Sequence, residues 1–106
     1  MHTKKITPDG LSPEVKTKII NLCKAMIPDA AISIYGSRAR GDYSERSDID
    51  LVLDAQKPID YFVIAELKDV LSATNIPQRF DIVDLNSIQD ENFKKNIKKE
   101  MVLWQK

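Results

Sequence analysis

The stretch I-Y-G-S-R-A-R-G-D-Y-S-E-R-S-D-I-D-L-V-L-D, residues 34–54, decides the fold. It reads as the end of one strand, a basic loop bounded by glycines, and a second strand that opens on two carboxylates. Two of the chain's three glycines, Gly36 and Gly41, lie in that loop, as do three of its four arginines, Arg38, Arg40 and Arg46. The fourth, Arg79, stands two residues before another carboxylate, Asp81. Every other basic side chain except His2 is a lysine. The planar fork of arginine matches phosphate oxygens in pairs, whereas lysine serves as a solvated point charge. This segregation points to one anionic, metal-bound ligand shared by the loop and the aspartates, with the remainder of the chain as scaffold.

Working outward on the N-terminal side, residues 30–35 alternate and are partly β-branched, which predicts a first strand ended by Gly36. Before it, Ser12 as N-cap and Pro13 at the first helical position predict a helix. Leu11, Val15, Ile19, Leu22, Cys23 and Met26 recur at spacings of three and four, giving it one apolar stripe, and Pro28-Asp29 stops it. Residues 1–10 read as a loose arm ending in the turn formers Pro8, Asp9 and Gly10. On the C-terminal side, a second strand covers 48–54, and a helix runs from about 60 to 74 on Val63, Leu67, Val70 and Leu71, with Phe62 beside the stripe. A third strand spans 78–85 and a third helix 87–100, with Phe93, Ile97, Met101 and Trp104 read as mostly core. Residues 101–105 form a closing edge strand or extend that helix. The expected architecture is a small mixed α/β (α+β) domain over 11–106, with helices against a sheet of three or four strands.

Composition bounds what such a domain does. At 106 residues the chain holds one modest core and no separate substrate domain. Sixteen basic residues balance sixteen acidic ones, so no global field draws it to nucleic acid or a membrane. The lysines at 94, 95, 98 and 99 are flanked by Glu91 and Glu100 without interleaved aromatics, and read as a solvated helix face rather than an RNA surface. One cysteine excludes an internal disulfide, and Cys23 reads as core. No apolar run approaches the ~18 residues of a membrane span. The N-terminus lacks the apolar segment of a signal peptide, and the cytoplasm is the expected location.

Residues two apart on a strand share a face, so Asp48 and Asp50 project together, and an adjacent third strand adds Asp81. Three convergent carboxylates repel one another, and oxygen-only donors select magnesium or manganese to relieve this. Asp54 has the same parity but lies roughly 13 Å from Asp50 at the rise of a strand. Asp84 has the wrong parity relative to Asp81 and marks a strand end. In the loop, Gly36 permits a tight turn and close ligand approach. Ser37 offers a hydroxyl and an amide to phosphate, and Arg38 and Arg40 offer charge-assisted contacts. Other phosphate and metal motifs fail. Gly41 is not followed by G-K-[ST], the middle glycine of a dinucleotide fingerprint is missing, and apolar residues occupy the ligand positions of an EF-hand. Ser37 as a nucleophile would need a base, and the single histidine is His2.

Gly36-Ser37, ten residues, then Asp48-Ile49-Asp50-Leu51 resembles the G-S-x10-D-x-D signature of the DNA polymerase β-like nucleotidyltransferases. The fuller G-S-R-A-R-G with S-D-I-D-L is similar to its minimal nucleotidyltransferase (MNT) branch, and F-D-I-V-D-L at 80–85 is similar to the third-carboxylate strand. The resemblance spans about residues 30–105. It implies transfer of a nucleoside monophosphate from a triphosphate such as ATP, with Asp48, Asp50 and Asp81 holding two magnesium ions. It also implies Asp81 as general base, and Gly36 and Ser37, with Arg38 or Arg40, on the phosphates. MNT chains of this size resemble antitoxins whose partner is a HEPN ribonuclease toxin, adenylylated on a tyrosine. Two alternatives remain open from the sequence: neutralisation of a partner by binding alone, and transfer to a small molecule at a site completed by a partner subunit.

Overall fold

Which side chains face inward decides where the catalytic surface can be, and the sheet register sets this. The computed structural model describes residues 8–106. In chain order the elements are α1 (Pro13–Met26), β1 (Ala31–Tyr35), α2 (Ser37–Arg40), β2 (Ile49–Asp54), α3 (Tyr61–Ser72), β3 (Phe80–Asp84), a 3-10 turn (Leu85–Ser87), α4 (Glu91–Glu100) and β4 (Val102–Gln105). The sheet order is β3-β2-β1-β4. The β1–β2 and β1–β4 pairs are antiparallel, and β2–β3 is parallel through the α3 crossover. This is the expected mixed sheet, with four strands.

Sequence signals act locally as expected at α1. The Ser12 Oγ accepts the Val15 amide at 3.2 Å and Pro13 occupies the first turn. Ile19 and Cys23 are fully buried, while Val15, Leu22 and Met26 pack against the core from its margin. At α3, Asp60 caps the Phe62 amide at 2.8 Å, and Leu67 and Leu71 point inward. Both helices cover one sheet face, onto which Ile32, Ile34, Ile49, Leu51, Leu53 and Phe80 project. Burying one such Leu or Ile side chain contributes about 1.5–3 kcal/mol.

The opposite face is covered only in part. Val52 contacts Leu85 of the 3-10 turn and Ile97 of α4, with Tyr35, Val83, Ile88 and Met101 around them. One cross-strand row, Ser33–Val52–Val83, lies under that cover; in the next, Tyr35–Asp50–Asp81, Tyr35 still packs against it while the two aspartates lie outside the cluster. An antiparallel β1 and a parallel β3 on the two sides of β2 bring these three residues into one line.

Several boundaries differ from expectation. Asp48 precedes β2 rather than opening it. β3 ends at Asp84, whose carboxylate accepts the amides of Asn86 (3.3 Å) and Ile59 (2.7 Å) and so turns the chain into the 3-10 turn. Helix α4 starts at Glu91 rather than 87, because Asp90 caps the amides of Asn92 and Phe93. Residues 102–105 choose the strand, pairing with β1. Phe62 does not join the core: it is 78% exposed, edge-on to Tyr61 at 5.9 Å. Phe93 is 47% exposed. Of the expected N-terminal arm, residues 1–7, including His2, lie outside the described residues. Pro8–Gly10 are not loose: Asp9 is buried, and its carbonyl accepts the Arg38 Nη1 at 2.9 Å. Among the described residues no helix is long and apolar enough to cross a membrane.

Candidate active site

The turn after β1 is built around Gly36. Its φ of 77° and ψ of −151° fall in a region that side-chain-bearing residues avoid. A Cβ there would meet the Asp50 Oδ2 at 2.5 Å, so the carboxylate lies directly against the turn. The Gly36 carbonyl accepts the amides of Ala39 (3.1 Å) and Arg40 (3.0 Å). Ser37 and Arg38 therefore place their own amides ahead of the turn's ladder, where helical amides have no internal partner. Gly41 ends α2 in the left-handed region, donating its amide to the Ser37 carbonyl at 2.9 Å.

The two inner carboxylates are register neighbours, Asp50 opposite Asp81 on parallel strands. Asp48 is exposed one residue before β2, and the Ile49 amide anchors that entry by donating to the Arg79 carbonyl at 2.8 Å. The three acids act on one another. Partial burial, then the charges of Asp81 and Asp48, push the Asp50 carboxyl up to about 6, against a smaller opposing pull from Arg40 and Arg38. Tyr35, paired to Asp50 on the β1 side, has its phenol pushed up to about 12 by burial and by the charges of Asp50 and Asp81.

As the side chains stand, no group of three or more acidic, histidine or cysteine side chains among the described residues closes into a metal-holding cluster. The expected convergence is thus a shared face rather than a finished cage. The donor set still fits a hard divalent cation. It is all carboxylate, it is short of positive charge at Asp50, and the glycine at 36 leaves the Asp50 oxygens open to the turn.

The arginines divide. Arg38 was expected at the phosphates and is instead 2% exposed, turned under the loop. Its guanidinium donates to the carbonyls of Asp9, Ser44, Glu45 and Ser47 at 2.9–3.4 Å, and its plane faces the Tyr43 ring at 5.1 Å. It organises the loop from inside. Arg40 is exposed and close enough to lower Asp50, but is engaged with Asp42 (3.3 Å) and Glu100 (3.8 Å). Arg46 and Arg79 are exposed.

The excluded acids stay excluded. Asp54 accepts from Asn86 Nδ2 at 2.8 Å and from the Gln56 amide at 2.9 Å, and the Asn86 bond leads in holding its carboxyl below the usual range. Asp84 serves as a cap. Cys23 is buried, and burial pushes its thiol up to about 12, which leaves it inert. Sequence reasoning missed Tyr35 beside Asp50, and Lys68 and Ser72 of α3, which line the groove next to Asp48 and Asp81. Parity would have placed Tyr35, given the antiparallel pairing of β1 with β2. No local signal marks Lys68.

Residues 17–106 match the family model described as polymerase beta, nucleotidyltransferase. The chain belongs to this nucleotidyltransferase family. It is similar to a Haemophilus influenzae protein named "Probable protein adenylyltransferase MntA", at 30% identity over 84 residues, covering 79% of this chain and 73% of that one. A Methanocaldococcus jannaschii protein, provisionally designated a protein adenylyltransferase, is 32% identical over 89 residues, covering 84% and 90%. Among solved structures, a toxin–antitoxin complex with AMP-PNP superposes with a TM-score of 0.73 at 27% identity, covering 86% of this chain and 73% of that chain. Within this nucleotidyltransferase family, the row Gly36–Asp50–Asp81 is the natural place to look for chemistry.

Proposed function

We propose that this nucleotidyltransferase moves AMP from ATP to a tyrosine of a HEPN-type ribonuclease toxin, and so acts as that toxin's antitoxin in the cytoplasm. The observation that carries the reading is the Asp50 carboxylate lying against the side-chain-free Gly36, with Asp81 in register beside it. Such an arrangement brings phosphate-binding amides and metal-type carboxylates within one ligand's length. The designation of both curated relatives as protein adenylyltransferases and the AMP-PNP in the toxin–antitoxin structure support the donor and acceptor classes.

In this reading the amides and hydroxyl of the Gly36-Ser37 turn bind the β- and γ-phosphates. Arg40 leaves Asp42 to join them, while Arg38 keeps the loop in shape. Asp48, Asp50 and Asp81 would hold magnesium, manganese serving as well, which when bound supplies positive charge for the triphosphate and the attacking oxygen. Asp81, exposed at the outer end of the row, takes the phenolic proton. The phenolate oxygen forms a bond to the α-phosphorus as the bond to the α–β bridging oxygen breaks. Pyrophosphate leaves with that electron pair. Positioning and charge neutralisation account for most of the acceleration in such transfers.

Replacing Asp48 and Asp50 together by Asn tests this. Co-expressed with a HEPN-type toxin that the wild type neutralises, the double variant is expected to bind its partner but fail to relieve its toxicity. Full relief by the variant would show that binding alone neutralises the partner.

A further inference from the structure

The order of the catalytic row gives the reaction a direction. The Gly36-Ser37 turn lies at the β1 end and Asp81 at the β3 end, with Asp50 between. Attack in line with the departing pyrophosphate therefore brings the acceptor from the β3 side. There the sheet meets a groove of about 570 Å³ lined by Asp48, Arg79 and Asp81 at the β2–β3 end and by Lys68 and Ser72 of α3. Lys68 and Ser72 are four apart on α3 and so share one face. Arg79, with Pro77 and Gln78, also lines a neighbouring hollow of about 610 Å³ that holds Tyr43 and Arg46, so the two hollows adjoin there.

Three cations thus border the acceptor's approach. Among the described residues, none of Lys68, Arg46 and Arg79 forms an ion pair or a side-chain hydrogen bond. Nor do they serve the inner carboxylate, since the cations acting on Asp50 are Arg40 and Arg38. Glu45 is the one acid in the outer hollow, so the balance there is positive. Unpaired arginines along a groove fit oxyanions, which they grip two oxygens at a time.

Resting on the adenylyl-transfer reading above, we propose that Lys68, Arg79 and Arg46 form an acceptor subsite for oxyanions carried by the protein segment that presents the tyrosine. The segment's oxyanions lie against these three cations and its phenol turns toward Asp81. Two sources share this chemistry: carboxylates flanking the tyrosine, and the phosphodiester of an AMP already attached to it.

The test is fluorescence anisotropy of three labelled peptides with the full chain at low ionic strength, where such contacts are least screened. One peptide has a tyrosine flanked by glutamates, one a tyrosine flanked by glutamines, and one an adenylylated tyrosine flanked by glutamines. The wild type is expected to bind at least one anionic peptide about fivefold or more tighter than the neutral one, the sum of a few exposed charge contacts. The anionic peptide preferred identifies the source. Arg79→Gln with Lys68→Gln, and separately Arg46→Gln, are expected to erase or reduce the preference. Equal binding of all three peptides by the wild type, or an undiminished preference in the variants, overturns the subsite. AMP-PNP affinity is measured in parallel. Its absence in the wild type would strike the adenylyl-transfer reading, not the subsite.

Discussion

Gly10 and Gly36 both combine a positive φ with a side chain packed against the missing Cβ, the Tyr43 ring at Gly10 and the Asp50 carboxylate at Gly36, and only at Gly36 is that side chain a candidate metal ligand. Gly41 also has a positive φ, 92°, but a Cβ there would meet nothing within 4 Å. Gly36 combines a backbone conformation reserved for glycine with a carboxylate at 2.5 Å from the missing Cβ. Gly36→Ala is therefore expected to cost about 1–3 kcal/mol of stability and to abolish transfer by displacing Asp50. Gly41→Ala is expected to cost about 1–2 kcal/mol, the left-handed penalty alone, with transfer largely kept. Thermal melts and initial rates of the two variants check this; equal losses of transfer would contradict it. Asp50 supplies a second residue-level prediction. Its carboxyl is raised to about 6 in the fold from 3.8, so its contribution to stability is fully present below 3.8 and lost as pH rises through about 6. In EDTA at pH 7.5, Asp50→Asn is expected to melt on the order of a few degrees above the wild type, because it removes a charge repelled by Asp81 and Asp48. The gap should close by pH 4. A melt of Asp50→Asn below that of the wild type at pH 7.5 would show that Asp50 is stabilised by something other than what faces it.

At the scale of elements, the sequence was most readable where a side chain signals to its own backbone. Ser12 and Pro13 announce α1, and apolar spacing in α1 and α3 names the buried faces, because both depend on neighbours within one or two turns. The parity of Asp48 and Asp50 is of the same kind, whereas Asp81 joins them only through the pairing of β3 with β2. What the sequence did not reveal depends on distant contacts. The sequence reads Asp84 as a strand end and gives no reading of Asp90, yet Asp84 also caps the 3-10 turn and reaches the Ile59 amide, and Asp90 caps α4 and moves its start to Glu91. Residues 102–105 are ambiguous until β1 offers an open edge to pair with. Arg38 misled because its type suits phosphate; only the folded loop shows four carbonyls turned inward to receive it. The loop arginines thus carry two roles, and composition alone cannot separate them.

For the whole molecule, the candidate catalytic face is open because one side of the sheet is covered incompletely. α1 and α3 close one face, while α4 and the 3-10 turn cover the Ser33–Val52–Val83 row of the other and reach Tyr35 but not Asp50 and Asp81. Asp48 and Asp81 leave that rim exposed on the β3 side, which suits the proposed acceptor on another protein. The central claim is adenylyl transfer from ATP to that partner. It is tested most directly by the intact mass of a HEPN-type toxin that binds this protein, after incubation with this protein, ATP and magnesium. One or more AMP masses should be added by the wild type and none by Asp50→Asn. An unchanged partner mass with the wild type, or the same gain with Asp50→Asn, would contradict the account.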